Sequence, residues 1–218
     1  MKKEKRILKW IPLFAALVLA VITLIVYSAT TEERSVIMYP QIIATAFVPA
    51  IFPLIGNITK RDYPIFINVL ILIHIVLAND LGSALGFYGR IGCWDLIMHG
   101  YFGFVFSVIM YMLLLQWNGA KLNRFGFMAL IFLSTSGAAA LWEVWEFLCD
   151  VVFGGDAQRV KEALANGVSP VSDTMTDIII AFAGVLVFYI TLYIDGLFDH
   201  KFQKVISAKV TGKKTNFQ

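Results

Sequence analysis

The sequence predicts an all-α, polytopic membrane protein, a bundle of six transmembrane helices with both termini in the cytoplasm. Its 218 residues are 59% hydrophobic and only 15% charged, with a mean hydropathy of +0.75. Soluble globular domains do not reach that balance. Six separate windows each hold about 20 largely apolar residues, the length that an α-helix needs to cross a bilayer. Lysine and arginine are also segregated to alternate connections, the sign of a chain threaded back and forth across a membrane.

The first window, about 8–29, follows the basic opening "KKEKR", and a basic stretch before an apolar run also describes a secretory signal. Its apolar core is about twice the usual signal length and no A-x-A cleavage site follows, so it is read as a retained first helix. The remaining windows cover about 36–56, 65–87, 94–117, 125–150 and 173–195. Connections are short except for residues 151–172, and no internal repeat or low-complexity tract appears. A single integral membrane domain over residues 1–218 is expected in the cell membrane.

Orientation follows from the basic residues. With the N-terminus inside, the cytoplasmic side receives Lys2, Lys3, Lys5, Arg6 and Lys9, then Lys60 and Arg61, Lys121 and Arg124. The tail adds Lys201, Lys204, Lys209, Lys213 and Lys214. Only Arg34, Arg90, Arg159 and Lys161 fall outside, a bias of fourteen to four. Topology and contact with membrane lipids thus account for the basic balance, and nucleic acid is not an expected partner.

Against this background the acids stand out. The stretch "ALWEVWEFLCD", at the outer end of the fifth helix, carries Glu143, Glu146 and Asp150. A carboxylate within a membrane span costs at least a few kcal/mol and asks for a functional reason. The sixth helix opens with Asp173 and Asp177, the fourth with Asp95 and His99, and the third ends near Asn79 and Asp80, all on the same outer side. At 100° per residue, Glu143, Glu146 and Asp150 share an arc of about 60° that continues through Ala139 and Ser136. Small residues mark faces where helices approach in lipid, so this stripe faces the bundle while Trp142 and Trp145 point elsewhere. Asp95 with His99, and Asp173 with Asp177, are each one helical turn apart and can act on one object.

Six carboxylates cannot all be ionised and unpaired when only His99, Arg159 and Lys161 are at hand to balance them; either several are protonated or a divalent metal cation is bound. Carboxylates alone would favour Ca²⁺ or Mg²⁺, and His99 extends the choice to Zn²⁺, Mn²⁺ or iron. The candidate ligands are Asp95, His99, Glu143, Glu146, Asp173 and Asp177, with Glu143, Glu146 and Asp177 as candidate catalytic residues and Asp150 at the rim. The loop stretch "DAQRVKEALANG" has helix-forming composition, a plausible C-cap at Gly167, and two cations, Arg159 and Lys161, that could approach the acids. Plainer roles compete. Asp95 and Asp173 could simply cap helices, His74 lacks an acidic partner one turn away, and Cys93 and Cys149 could be a disulfide or small buried residues.

The segments "WDLIMHGYFGF", "ALWEVWEF" and "VSDTMTDIIIAFAG", in that order, resemble the three signatures of the YjdF-like family of bacterial multi-pass membrane proteins: D-x-x-x-H-x-x-x-G, Y/W-E-x-x-E-W/F and W-D-T-x-x-D-M. The resemblance covers about residues 65–190 and implies the same six positions, Asp95, His99, Glu143, Glu146, Asp173 and Asp177. Leu96 stands where the family often has arginine, and Ser172 replaces an aromatic. A looser similarity to VanZ-like proteins, which also place acids and a histidine on short helices, implies a cell-envelope setting by analogy. The resemblance names no reaction. Three function classes follow: a divalent-metal-dependent enzyme acting on a lipid or cell-envelope substrate, a cation- or proton-linked transporter, and a structural or regulatory membrane subunit. Transporter sites are usually built on broken helices, and none is expected from these windows.

Overall fold

The computed structural model describes residues 7–31, 35, 37–117 and 122–211, with side chains as far as residue 207. Its regular structure is helical throughout the described residues. Six helices are long and apolar enough to span a membrane: α1 (Ile11–Thr30), α2 (Met38–Thr59), α3 (Ile65–Ala84), α4 (Trp94–Gln116), α5 (Arg124–Phe153) and α6 (Pro170–Leu197). The chain forms two compact units, Met1–Trp94 with Phe198–Gln218, and Asp95–Leu197.

In the first unit, α1 buries Ala16, Ala20, Thr23 and Tyr27 along one stripe and exposes Phe14, Val18, Val21, Ile22 and Ile25. Lipid tails are as apolar as leucine, so nothing drives the large aliphatic side chains inward, and small residues let neighbouring helices approach. α2 is interrupted by a single 3-10 turn at Val48–Ala50. Pro49 has no N–H to donate and its ring crowds the preceding turn, so the α-ladder breaks there. α3 is α-helical over Ile65–Ile75 and then π-helical over Val76–Ala84. Two of the six spans are therefore broken, which corrects the expectation of continuous helices.

The π-helical stretch carries a buried polar chain that reaches across the unit. Gln41 Nε2 donates to Asn79 Oδ1 at 2.9 Å, Asn79 Nδ2 donates to Asp80 Oδ1 at 3.1 Å, and Thr23 also hydrogen-bonds the Asp80 carboxylate. Neutral donors, Asn79 on α3 and Thr23 on α1, thus satisfy the Asp80 carboxyl, and Gln41 on α2 holds Asn79, as buried polar groups require. Gly86, at φ +74°, ends the span at Ala84, short of the expected residue 87. Beyond it, the Trp94 indole N–H donates to the Leu77 carbonyl at 3.2 Å.

In the second unit, α4, α5 and α6 pack around Val108, Met112, Ile131, Val185 and Phe188. The hydroxyls of Ser107 and Thr135 meet at 3.3 Å between α4 and α5. α4 and α6 meet in backbone contact, because a Cβ built on Gly103 would overlap the Ala181 backbone and one on Gly184 would overlap the Gly100 carbonyl. This crossing fixes the heights of His99, beside Gly100, and Asp177, one turn before Ala181. α5 runs longer than expected: Asn123 Oδ1 caps its start by accepting from the Gly126 N–H at 2.7 Å, and Gly154 at φ +72° ends it.

The loop from 154 to 169 contains a short helix, Val160–Ala165. Val168 N–H returns to the Ala163 carbonyl at 2.9 Å and Gly167 N–H to Leu164 at 3.2 Å, with Gly167 at φ +67°. That pair of bonds is a Schellman motif, and it places Gly167 at the position that favours glycine. Cys93 is exposed, Cys149 is half-buried, and both are free thiols.

Candidate functional site

α4, α5 and α6 bring four of the acids, Asp95, Glu143, Glu146 and Asp177, around the imidazole of His99. Its Nε2 lies 3.5 Å from Asp95 Oδ1 and 3.9 Å from Asp177 Oδ2, while Nδ1 lies 3.9 Å from Glu143 Oε1. Two donor sets result, one at each ring nitrogen. Asp95, His99 and Asp177 offer ligand atoms within 4.8 Å of one another, and so do His99, Glu143 and Glu146.

The cluster is graded in depth. His99, Glu143 and Asp177 are buried, whereas the Asp95 side chain keeps 13% of its exposure and that of Arg159, which approaches it, keeps 24%. Both oxygens of Glu143 and Oδ1 of Asp177 are sealed from solvent and have no hydrogen bond of ordinary geometry among the described residues. Thr174 makes only a weaker approach to Glu143. Glu146 is better served, accepting from the Trp142 indole N–H at 2.9 Å. Trp142 therefore keeps its ring outward, as the helical phase implies, yet turns its one donor back to the acidic stripe.

Asp173 and Asp150 complete neither donor set. Asp173 is half-buried one turn before Asp177, near enough to feel the charges of Asp95 and Arg159. Asp150 instead organises the loop: its Oδ1 accepts the Ala157 N–H at 2.6 Å and its Oδ2 the Gln158 N–H at 3.0 Å. Gln158 then extends its amide to the Glu143 carbonyl at 3.3 Å and the Thr174 hydroxyl at 3.4 Å, tying the loop to α5 and α6. Neither Gln158 nor Thr174 is singled out by the sequence. Thr174 could have been found by phase, since it lies within about 60° of Asp177 on the helical wheel.

The two loop cations have different roles. Lys161 Nζ donates to the carbonyls of Gly154 and Gly155 at 3.1 and 2.8 Å. Arg159 reaches the acids, its Nη1 lying 3.6 Å from Asp95 Oδ2, while its Nε and Nη2 hold Glu162 at 2.9 and 2.8 Å. The guanidinium holds the Glu162 carboxyl below the usual range, and Glu162 in turn raises the already high pKa of Arg159. His74, on α3, is half-buried in the other unit.

An uncharacterised protein of Thermotoga maritima is 30% identical over 101 residues, covering 44% of this chain and 50% of the relative. The match thus spans about half of that relative's length. No solved structure matches. The model of the family described as "Predicted membrane protein (DUF2238)" matches residues 11–196, nearly the whole chain. The chain therefore belongs to the DUF2238 family of predicted membrane proteins.

Proposed function

We propose that the protein is a divalent-cation-dependent enzyme of the cell membrane, acting on a lipid or cell-envelope substrate at the extracytoplasmic face. The supporting observation is the set of sealed oxygens, both of Glu143 and Oδ1 of Asp177, left without ordinary hydrogen bonds beside His99. Leaving a buried charge uncompensated costs several kcal/mol, and one divalent ion offsets the repulsion while satisfying several oxygens at once. The donor chemistry fits. Three ligands bound to one transition metal at ~2.1 Å lie ~3–4 Å apart, so donors within 4.8 Å of one another reach such a geometry by side-chain movements of about an ångström.

In this reading Asp95, Asp177 and the Nε2 side of His99 hold the cation, and imidazole among carboxylates favours Zn²⁺, Mn²⁺ or iron. Such an ion would polarise a substrate oxygen or activate water. Glu143 and Glu146, on the Nδ1 side, remain to accept and return a proton. The fourteen-to-four basic bias supports an outward-facing site, and the motif resemblance to the YjdF-like family supports the same residues, Asp173 included as an outer neighbour.

A second reading, cation- or proton-linked transport, draws support from the broken spans α2 and α3 and from the buried Asp80, since interrupted helices and intramembrane acids recur in carriers. Elemental analysis of protein purified without chelator separates the two, combined with melting curves in chelator and in Zn²⁺, Mn²⁺, Mg²⁺ or Ca²⁺ added singly. Stoichiometric metal, with a metal-dependent rise in melting temperature that His99→Ala abolishes, is the expected result. No metal and no shift would leave protonated carboxylates and favour transport.

A further inference from the structure

We infer that Arg159 is the anion-recognition residue of this site and that its ligand is an amphiphile carrying a phosphate group. The inference rests on the cation-centre reading above and adds the substrate class.

The loop offers two cations, and the structure distinguishes them. Lys161 is occupied with the carbonyls of Gly154 and Gly155. In Arg159, Nε and Nη2 are fixed on Glu162, but Nη1 faces Asp95 Oδ2 at 3.6 Å, an ion-pair distance without a hydrogen bond. One edge of the guanidinium is anchored. The other is aimed at the acids and holds Asp95 only by a long ion pair.

The backbone under Arg159 is held in an unfavourable conformation to achieve this. Arg159 sits at φ +50°, in the left-handed region that a branched or long side chain rarely adopts. Its neighbours enforce it: Asp150 grips the N–H groups of Ala157 and Gln158, Asp156 accepts those of Lys161 and Glu162, and the Arg159 carbonyl accepts from Ala163 at 2.9 Å. A non-glycine residue in this region is strained and persists where the surroundings over-determine it, commonly at ligand clamps.

Location and charge then select the ligand. The Asp95 and Arg159 side chains keep part of their exposure, and exposed apolar residues next in sequence to the acids, Trp142 and Trp145 on α5 and Val171 and Met175 on α6, give those helices an apolar flank. A molecule entering from the bilayer would bring its head to Arg159 with its tail along that flank. A neutral head would leave Nη1 unused and a cationic one would meet the guanidinium. A tetrahedral oxyanion can share its oxygens between a divalent ion and the planar fork of arginine, which suits phosphate.

The test uses the full chain in nanodiscs of zwitterionic lipid, with calorimetric titration of Mn²⁺ and then of dodecyl phosphate, inorganic phosphate and dodecanoate. The expected result is Mn²⁺-dependent binding of dodecyl phosphate in preference to the other two. Arg159→Gln should weaken it by about tenfold or more, while Mn²⁺ affinity changes by less than about threefold. Arg159→Lys, which keeps the charge and loses the fork, should fall between; it serves as the measure if the melting curve shows that Arg159→Gln does not fold. Intact Mn²⁺ binding with unchanged dodecyl phosphate affinity in these variants overturns this inference alone. Failure of the wild type to bind Mn²⁺ overturns it together with the cation-centre reading. Equal binding of inorganic phosphate overturns the amphiphile, and equal binding of dodecanoate overturns the phosphate.

Discussion

Gly103 and Ala181 meet backbone to backbone, so close that a Cβ on Gly103 would overlap the Ala181 carbonyl. His99 lies one turn from Gly103 and Asp177 one turn from Ala181, so the contact sets the spacing of two donors it does not include. Gly103→Ala should push α4 and α6 apart, cost about 1–3 kcal/mol and weaken any metal binding at the site. Gly137→Ala, which meets nothing within 4 Å, is the control. Melting curves and metal titration of both variants check this; an unchanged Gly103→Ala would mean that the helices are not in close contact there.

Asp177→Asn should have opposite effects in the two metal states. With chelator present it replaces a buried carboxylate, whose Oδ1 has no ordinary hydrogen bond, by a neutral amide, so stability should stay level or rise by on the order of 1 kcal/mol. With metal present the variant should lose the metal-dependent increment. A loss of stability of equal size in both conditions would identify Asp177 as a structural acceptor.

Asp150→Ala removes the acceptor for two backbone N–H groups, at 2.6 and 3.0 Å. Hydrogen bonds to a charged group contribute roughly 1.5–3 kcal/mol each. The variant should open the loop between residues 154 and 169 to limited proteolysis while leaving the spans intact, and faster cleavage outside that loop would contradict this account.

Loop order should also depend on pH in one direction. The Glu162 carboxyl is held low by Arg159 in the folded protein, so its contribution is fully present above the ordinary carboxylate value and is lost as pH falls through the lowered one. Resistance of the loop to proteolysis should therefore hold at neutral pH and decline only in acid, and Glu162→Gln should be less protected at neutral pH with that acid step removed. An acid-stable protease reads both profiles, and identical profiles for wild type and variant would rule the pair out as a loop determinant.

The basic bias predicts that the loop lies outside. In a Cys93→Ser, Cys149→Ser background, Asn166→Cys sits at an exposed position and should react with an impermeant maleimide added to intact cells. Lys213→Cys, in the tail beyond the described residues, should react only after lysis. The reverse pattern would move the candidate site to the cytoplasmic face.

The six spans were legible because length and hydropathy are properties of each segment alone. The inward stripe on α5 was legible because helical phase needs only residue numbers: Ala139 and Glu143 are buried, and Trp142 and Trp145 are exposed. Phase gives a face but not a partner. It could not separate Asp177, which joins a donor set, from Asp173, one turn outward, because the height of α6 against α4 is fixed by the glycine crossing. The assignments of Arg159 to Asp95 and of Lys161 to loop carbonyls were also hidden, since both depend on how Asp150 folds the loop. Pro49 marked its break in α2 in principle, as prolines do. The change in α3 at Val76 has no such marker, and the polar Asn79 and Asp80 show only that something there must be satisfied.

That change of helical pitch has a consequence for how the gene can vary. A π-helical turn holds more residues than an α-helical one, so Val76–Ala84 carries slack that the rest of α3 lacks. Loss of a single codon here could be absorbed by tightening toward α-helix, leaving Trp94 and all that follows in place. The same loss in Ile65–Ile75 would rotate every later residue of the span by about 100°. Single-residue length differences among relatives, if this span has any, should gather within residues 76–84 and be scarce in the turns before it.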